Sequence, residues 1–501
     1  MVFCRKNGWL FLSGVMALLV VFFVRLSMLQ KSDEPAGLDG YYYALQAKSL
    51  VQTGQLENPG FESGFYLCAL SSAICADAIL GCKIWASIAS ALFCLGCGLL
   101  TYFVCKNFFA AVLVFLLSAV SPSAVTISIN YINNLTGLVF FCFFAVCVYS
   151  LFEKNHDFGK KKTAVLLILA FIFLALCFFT HLVPFVYCLA FVFALFMAKG
   201  GFSKKKVAVF LKSANGKVIF GAAVLLFALA FIFLAIHEKS RFSSMFSFGP
   251  CVPLFSGFMK KNMPFALCIE QSVCFLLVWI CFLLFVIRSK NKLSFIPLIL
   301  IPLVLFFPFW NLDVLDMGYR LFLSGSSVTP LVLALMIGKN WNRFSFLLPK
   351  ILVASLLFAA LLFWTKGLYD IRKNPPYKYY RSVVSDIELD DDSLLIAHLG
   401  LNHVYTYYKN LRWALNYLPD FPVARQKLWR LAYGADEDQV MAVFDSKESA
   451  YMEGLVRQID HNYILVREDV WQEYLLREDD AIAQTYLNWF NPHSYRPSFI
   501  R

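Results

Sequence analysis

Long apolar runs follow one another through the first 365 residues, and short polar or basic stretches separate them. A run of about 17–25 apolar residues is long enough to cross a bilayer as a helix. The runs are continuously apolar and do not alternate with polar residues, which favours helices over the strands of a membrane barrel. The pattern therefore predicts about eleven membrane spans. We place them at residues 9–29, 84–104, 108–127, 135–152, 164–179, 183–197, 218–236, 264–287, 295–309, 328–337 and 351–364.

The segment after the last apolar run is more polar and is about the size of one domain. Short apolar stretches at 393–397 and 463–466 predict buried strands. Segments 423–433 and 469–476 have the spacing of amphipathic helices. We therefore expect an α-helical integral membrane protein that ends in a small C-terminal α/β domain.

Basic residues between the runs predict the orientation of the chain. The segments assigned to the inner side carry more than twice as many lysines and arginines as the outer loops before the C-terminal domain. The positive-inside rule then places the N-terminus in the cytoplasm. The expected location is a bacterial inner (plasma) membrane, with a multi-span domain over 1–365 and a soluble extracytoplasmic domain over 366–501. An outer loop with juxtamembrane helices is expected over 31–82, and a polar outer turn over 128–134.

Composition agrees with this class and excludes others. The chain is 60% hydrophobic and only 15% charged, which is outside the range of soluble domains. Its net charge of +12 comes from the membrane part, where topology explains it better than nucleic-acid binding does. All fifteen cysteines precede residue 282, so a disulfide framework is excluded from the C-terminal domain. The Cys94–Cys97 pair lies within a span and favours helix packing over a metal or redox site.

The first outer loop gathers carboxylates in a chain where they are scarce. Asp33, Glu34 and Asp39 lie within seven residues, and a short amphipathic segment that ends at Gly54 follows them. A carboxylate beside an apolar surface has a raised pKa and suits a general base. Asp39 is the strongest candidate, because it lies at the start of the predicted helix. The alternative is that the three acids only solvate the loop.

Three polar positions elsewhere are further candidates. His181, at the outer end of the fifth span, is suited to contact a lipid-linked phosphate, although a structural histidine is as probable. Arg320, beside Tyr319, is able to hold a phosphate bidentately or to anchor a helix end by snorkelling. His398 and His403 are interpreted as ordinary core or surface histidines.

The first loop resembles that of the GT-C superfamily of membrane glycosyltransferases. These enzymes include protein O-mannosyltransferases and lipid A aminoarabinose transferases, and they use polyprenyl-phosphate-linked sugars. The family pattern has an acid, an aromatic residue four positions later, alanine five later and glycine about fifteen later. Here these are Asp39, Tyr43, Ala44 and Gly54.

Two later segments are also similar to family members. Thr180-His181 stands where many members have a basic residue near the donor phosphate, and Tyr319-Arg320 followed by Pro330 is similar to a late basic-aromatic-proline stretch. The resemblance implies an inverting glycosyltransferase on the outer face of the membrane. Its donor would be a polyprenyl-phosphate sugar, and its acceptor a lipid, a glycan or a protein.

The resemblance also implies residue roles. Asp39 would deprotonate the acceptor, and the donor sugar and phosphate would be bound by Tyr42, Tyr43, Asn134, His181, Tyr319 and Arg320. The chain departs from the family in two places. Gly40 follows Asp39 where members often have a second acid, and Asn133 and Asn134 stand where many have an acid before the fourth span. We therefore expect neither a divalent metal nor another cofactor.

Two other classes of membrane protein remain as alternatives. A transporter or lipid flippase would show broken helices, inverted repeats and charges at mid-bilayer. The sequence has no convincing internal repeat, and its ionisable residues lie at the outer ends of the runs. A membrane scaffold that displays the C-terminal domain would explain that domain but not the first loop. A glycosyltransferase explains the first loop as well as the C-terminal domain.

Overall fold

The computed structural model describes residues 2–152 except 59 and 61, residues 160–198, and residues 376–477 except 413, 417–426, 446 and 449–453. It also describes Leu267, Glu270, Leu323 and Ser324. The predicted spans from 218 onward, apart from these single positions, lie outside the described residues. So do Tyr319 and Arg320.

The chain divides into two compact units. The first comprises Met1–Ser27, Phe61–Gly64 and Ala86–Arg372, and the second comprises Met28–Gly60, Phe65–Trp85 and Lys373–Arg501. Their described helices up to residue 198 are α1 (Val2–Leu29), α2 (Gly40–Thr53), α3 (Ser63–Cys75), α4 (Ala78–Cys105), α5 (Phe108–Val120), α6 (Pro122–Asn130), α7 (Ile132–Phe152), α8 (Lys160–Thr180) and α9 (Leu182–Ala198).

Three described helices are long and apolar enough to cross a membrane: Ala78–Cys105, Ile132–Leu151 and Lys161–Thr180. On the third, large apolar side chains such as Val165, Ile168 and Phe171 are exposed. An exposed apolar face on a helix of this length is typical of contact with lipid rather than water. The multi-span helical class is confirmed, and the predicted number of eleven spans stays a prediction.

Close helix packing in the first unit depends on small residues. A Cβ atom at Gly137 would lie 2.5 Å from Pro184, and one at Gly96 would lie 2.6 Å from Cys142. Helices in membranes associate through such close approaches, because apolar side chains gain little by leaving lipid. These glycines therefore allow α4, α7 and α9 to meet.

The run predicted as one span over 108–127 is broken in the structure. Helix α5 ends at Val120, α6 begins at Pro122, and their axes differ by 52°. Proline cannot donate a helical hydrogen bond but fits the first turn of a new helix. The Ser121 side chain accepts from the backbone of Ala124 at 3.2 Å and so caps α6. The predicted outer turn at 128–134 is also wrong, because α6 continues to Asn130 and α7 begins at Ile132.

The C-terminal part of the second unit is a small α/β domain, as predicted. A five-stranded sheet has the order β2-β1-β3-β5-β4, with β1 parallel to both of its neighbours and β5 antiparallel to both of its own. The strands are β1 (Leu394–Ile396), β2 (Ala414–Leu415), β3 (Leu428–Tyr433), β4 (Val456–Asp460) and β5 (Tyr463–Arg467), and the helices are α10 (Tyr377–Ser385), α11 (Leu401–Tyr408), α12 (Glu437–Ala442) and α13 (Glu468–Arg477).

The helix predicted over 423–433 is wrong where the structure describes it. Residues 428–433 form β3, the central strand of the sheet. Because both faces of a central strand are covered, it lacks the alternation of polar and apolar residues that marks a half-buried strand. Arg430 is itself buried here, since its guanidinium pairs with Glu468. The strands predicted at 393–397 and 463–466 and the helix at 469–476 are confirmed.

Candidate functional site

Asp39 is the N-cap residue of α2, in the second unit. Its carbonyl accepts the first helical hydrogen bond from Tyr43 at 3.0 Å, whereas its side chain does not cap the helix. The side chain is half-exposed. A carboxylate at this end of a helix faces the positive pole of the helix dipole. The helix ends as the sequence predicts, at Gly54 with a φ of +75°.

Tyr377 of α10 contacts the backbone on both sides of Asp39. Its hydroxyl donates to the carbonyl oxygens of Gly37 at 2.7 Å and Leu38 at 2.6 Å, and it accepts from the amide of Gly40 at 3.2 Å. Burial and the nearby charge of Asp39 raise the pKa of Tyr377 far above its usual range. The hydroxyl therefore stays protonated and keeps its hydrogen for the two carbonyls.

Glu34, not Asp39, is the buried carboxylate of the first loop. It accepts a hydrogen bond from the Tyr41 hydroxyl, and the guanidinium of Arg381 lies 3.6 Å away. The Tyr41 hydroxyl also lies 2.9 Å from that of Tyr408. Burial, followed by the bond to Glu34, raises the pKa of Tyr41. These partners give Glu34 a structural role, while Asp33 is exposed.

Tyr42 and Tyr43 differ in how much surface they present. Tyr43 is buried, with its ring 5.6 Å from that of Phe65. Tyr42 is half-buried and lies between Phe65 and His403, with ring centroids at 5.5 and 5.3 Å. Desolvation lowers the pKa of His403 to about 4, so this imidazole is neutral near pH 7. Tyr42 is thus the better placed of the two tyrosines to contact a substrate.

Lys48, in the second half of α2, contacts Tyr407 of α11. Its ammonium donates to the carbonyl of Tyr407 at 2.5 Å and lies 4.7 Å from the centre of the same ring. A cation over an aromatic face is favourable. Burial lowers the pKa of Lys48, and its contacts show a packing role rather than a catalytic one.

His181 lies between α8 and α9, in the first unit. Its Nδ1 atom accepts a hydrogen bond from the backbone of Val183 at 3.2 Å. In a neutral imidazole an accepting Nδ1 places the proton on Nε2. The ring is half-exposed and stands at a helix junction, which is where the sequence predicts a basic contact.

Asn134 is buried in the first turn of α7, and its Nδ2 atom has no hydrogen-bond partner among the described residues. An unpaired buried donor costs free energy unless a ligand or water satisfies it. The neighbouring Asn133 meets the start of α3 so closely that a Cβ atom at Gly64 would overlap its side-chain oxygen. Asn134 therefore has a buried donor that a ligand or a water molecule could satisfy.

Glu270 is a buried acid that the sequence interpretation missed. Its carboxylate accepts from the Ser121 hydroxyl, from the Ser123 amide at 2.7 Å and from the Ser123 hydroxyl at 2.6 Å. It thereby satisfies the N-terminus of α6 at the break in the helix. The feature of the sequence that could have identified Glu270 is its position as the single acid within the apolar run 264–287.

The structure distributes the predicted site residues over both units. Asp39, Tyr42 and Tyr43 lie in the second unit, and His181 and Asn134 lie in the first. No cluster of three or more histidine, cysteine, aspartate or glutamate side chains able to hold a metal occurs within the residues that the structure describes.

The fold of the chain is similar to that of the solved ArnT structures, and the predicted resemblance is confirmed at the level of the fold alone. Among solved structures it is similar to ArnT from Cupriavidus metallidurans bound to undecaprenyl phosphate, with 12% identity, a TM-score of 0.55, and 92% of this chain and 98% of that chain covered. ArnT from the same organism in the apo state is similar at 11% identity and a TM-score of 0.54, with the same coverage. No protein-family model matches the sequence, and no curated protein is significantly similar to it.

Proposed function

We propose that this integral membrane protein is a glycosyltransferase that moves a sugar from a polyprenyl-phosphate donor to an acceptor. The observation that carries the proposal is the GT-C fold over 92% of the chain together with Asp39 at the start of α2. The ArnT neighbour is bound to undecaprenyl phosphate, which supports a lipid phosphate of this type as the carrier. The acceptor is a lipid, a glycan or a protein with a free hydroxyl or amine.

The chemistry follows from the half-exposed carboxylate. Asp39 takes the proton from the acceptor, whose oxygen or nitrogen attacks the anomeric carbon. The bond from that carbon to the phosphate oxygen breaks, and the configuration inverts. Polyprenyl phosphate leaves with the bonding electrons. Cationic and donor groups must stabilise the negative charge that develops there, a task we assign to His181 and Arg320.

Sugar recognition is assigned to the aromatic and amide groups. Tyr42 offers a half-exposed ring beside His403, and Asn134 offers an amide donor without a partner among the described residues. Tyr43 shapes the pocket wall through its packing on Phe65, and Tyr319 accompanies Arg320 at the phosphate. Since Asn133 and Asn134 are poor metal ligands in place of acids, we propose that the reaction needs no divalent metal.

The proposed orientation places the reaction on the outer face of a bacterial inner membrane. It rests on the excess of basic residues in the segments assigned to the cytoplasm. In this arrangement residues 1–365 form the multi-span domain, 31–82 the catalytic loop, and 366–501 the extracytoplasmic domain.

One observation favours a second candidate, a transporter or lipid flippase. The pair α5 and α6 is a broken helix with an acid at the break, as in many transporters. The Glu270 carboxylate, however, is already engaged by Ser121 and Ser123. Activity in detergent separates the two functions. A transferase forms its glycosylated product without a sealed compartment, whereas a transporter forms no product.

The direct test is the Asp39→Asn variant, purified in detergent and supplied with polyprenyl-phosphate sugars. Candidate donors and acceptors come from mass analysis of lipids and glycans in cells with and without the gene. We expect transfer by Asp39→Asn to fall at least about 100-fold. Asp33→Asn, at an exposed acid of the same loop, should retain it. Full activity of Asp39→Asn would refute the assignment of the base.

A further inference from the structure

We propose that Tyr377 is a positioning residue for the glycosyl transfer: through its hydroxyl, the C-terminal domain fixes the turn that presents Asp39. The inference rests on the proposed function and extends it to a residue 338 positions away from the base in the sequence. It also gives the C-terminal domain a part in the reaction.

The hydrogen bonds of Tyr377 surround Asp39 on the backbone. They engage the carbonyls of Gly37 and Leu38 before it and the amide of Gly40 after it. The phenol is 2% exposed, so water does not readily replace it. Removing the hydroxyl would take away three hydrogen bonds that join α10 to the backbone of this turn.

Within the turn, the amide of Gly40 also donates to the carbonyl of Gly37, at 3.4 Å, which is longer than the bonds made by Tyr377. Gly37 adopts a φ of +85°, a conformation that glycine enters without strain but also leaves easily. Gly40 lies so close to Pro35 that a Cβ atom would be 3.0 Å from its side chain. The Asp39 side chain makes no capping bond to the helix. A change in the backbone on either side of Asp39 would therefore move the carboxylate with it.

Neighbouring contacts explain why the tyrosine itself is rigid. Its ring packs edge-on against Tyr41 at 4.9 Å, and Tyr41 is anchored by Glu34 and Tyr408. Further along α2, Lys48 donates to the backbone carbonyl of Tyr407. Side chains from the C-terminal domain thus hold the segment before, at and after the base.

A positioning role predicts a specific kinetic effect. A catalytic group displaced by about 1 Å can lose about 100-fold in rate. We assign the lipid phosphate of the donor to His181 and Arg320, which are not part of the turn, so binding of that phosphate should survive a displacement of the turn. Loss of the Tyr377 hydroxyl should therefore lower kcat and leave KM for the donor nearly unchanged.

The test compares Tyr377→Phe with Tyr380→Phe in the full-length protein. Tyr380 lies on the same helix and is also buried, but its hydroxyl makes no hydrogen bond within the described part of the chain. We expect kcat of Tyr377→Phe to fall about 10- to 100-fold, with KM for the polyprenyl-phosphate sugar within about twofold. Tyr380→Phe should stay near wild type in both.

Hydrogen–deuterium exchange gives a readout that is independent of activity. The peptide over 37–43 should exchange faster in Tyr377→Phe than in Tyr380→Phe, while a peptide from β5 shows that the domain remains folded. Equal kcat and equal exchange for the two variants would overturn the positioning role. A wild-type protein without transferase activity would instead overturn the proposed function. A difference in exchange would then show that Tyr377 stabilises the turn, without a role in catalysis.

Discussion

Arg430 and Glu468 form a buried ion pair in the C-terminal domain, joined by two hydrogen bonds of 2.6 and 2.8 Å. Arg430 lies on the central strand β3, and Glu468 begins α13. Such a two-point contact between guanidinium and carboxylate fixes both partners in one plane. The pair therefore ties the last described helix to the middle of the sheet.

Removing one partner should destabilise the domain more than removing both. Glu468→Ala leaves an uncompensated buried guanidinium, and the expected loss is about 3–5 kcal/mol in the free energy of unfolding. The double variant Arg430→Met/Glu468→Leu should recover much of that loss. Thermal unfolding of the full-length protein in detergent measures both. A double variant less stable than Glu468→Ala alone would contradict this account.

The stability of the C-terminal domain should fall on acidification because of His398. Its Nε2 atom lies 2.6 Å from the Tyr463 hydroxyl, and burial lowers its pKa to about 4. An unfolded histidine binds its proton near pH 6.5, so the unfolded state takes up more protons between pH 6.5 and 4. The stabilisation is therefore complete above pH 6.5 and is lost as the pH falls through this window.

The expected loss from His398 is up to about 3 kcal/mol. In His398→Gln the melting temperature should depend less on pH between 6.5 and 4 than in wild type. His461 is exposed, so His461→Gln serves as the matched control and should keep the wild-type slope. The same slope in all three proteins would show that His398 is not the group responsible.

Two glycine-to-alanine substitutions should have opposite effects in the first unit. A Cβ atom at Gly64 would overlap the side-chain oxygen of Asn133, whereas one at Gly14 meets nothing within 4 Å. Overpacking of this kind costs about 1–3 kcal/mol. Gly64→Ala should lower the melting temperature and the transfer rate. Gly14→Ala should be neutral or slightly stabilising, because alanine is the better helix former. Equal melting temperatures would show that the contact at Gly64 is loose.

Glu270 should matter for the stability of the broken helix. Glu270→Ala leaves the Ser123 amide and two hydroxyls without their acceptor, which we expect to cost about 2–4 kcal/mol. Glu270→Gln keeps one acceptor and should lie between alanine and wild type. Retained transfer by Glu270→Gln would agree with a structural acid. Complete loss of transfer with an unchanged melting temperature would give Glu270 a direct role.

Local sequence patterns predict the helices and part of the sheet, because they depend on residues that are near one another in the chain. Gly54 marks the end of α2, and the apolar run at 463–466 marks β5. The sequence predicts a helix where β3 lies, since burial on both faces removes the alternation that identifies a strand. The break at Ser121 was missed, although Pro122 offered a signal.

The candidate site is only partly predictable from the sequence, because some of its contacts join residues that are far apart in the chain. Asp39 was singled out by its spacing to Tyr43 and Ala44, which are close in sequence. The residues that contact the same loop from afar, Tyr377 and Arg381, belong to no pattern that includes it. The sequence does not distinguish Glu34 from Asp33 and Asp39 by burial, and tertiary packing shows that Glu34 is the buried acid.

The hydrogen bonds of Tyr377 also determine when, during synthesis of the chain, the turn before α2 gains its partner. The tyrosine is 339 residues away from Leu38, so ribosomes have finished most of the chain before the turn acquires its partner. Contacts between such distant segments form late in folding. A nascent chain that stops before residue 377 carries Asp39 but lacks the phenol that holds its turn. Synthesis of the C-terminal domain is therefore required before the turn that precedes α2 gains the hydrogen bonds from Tyr377.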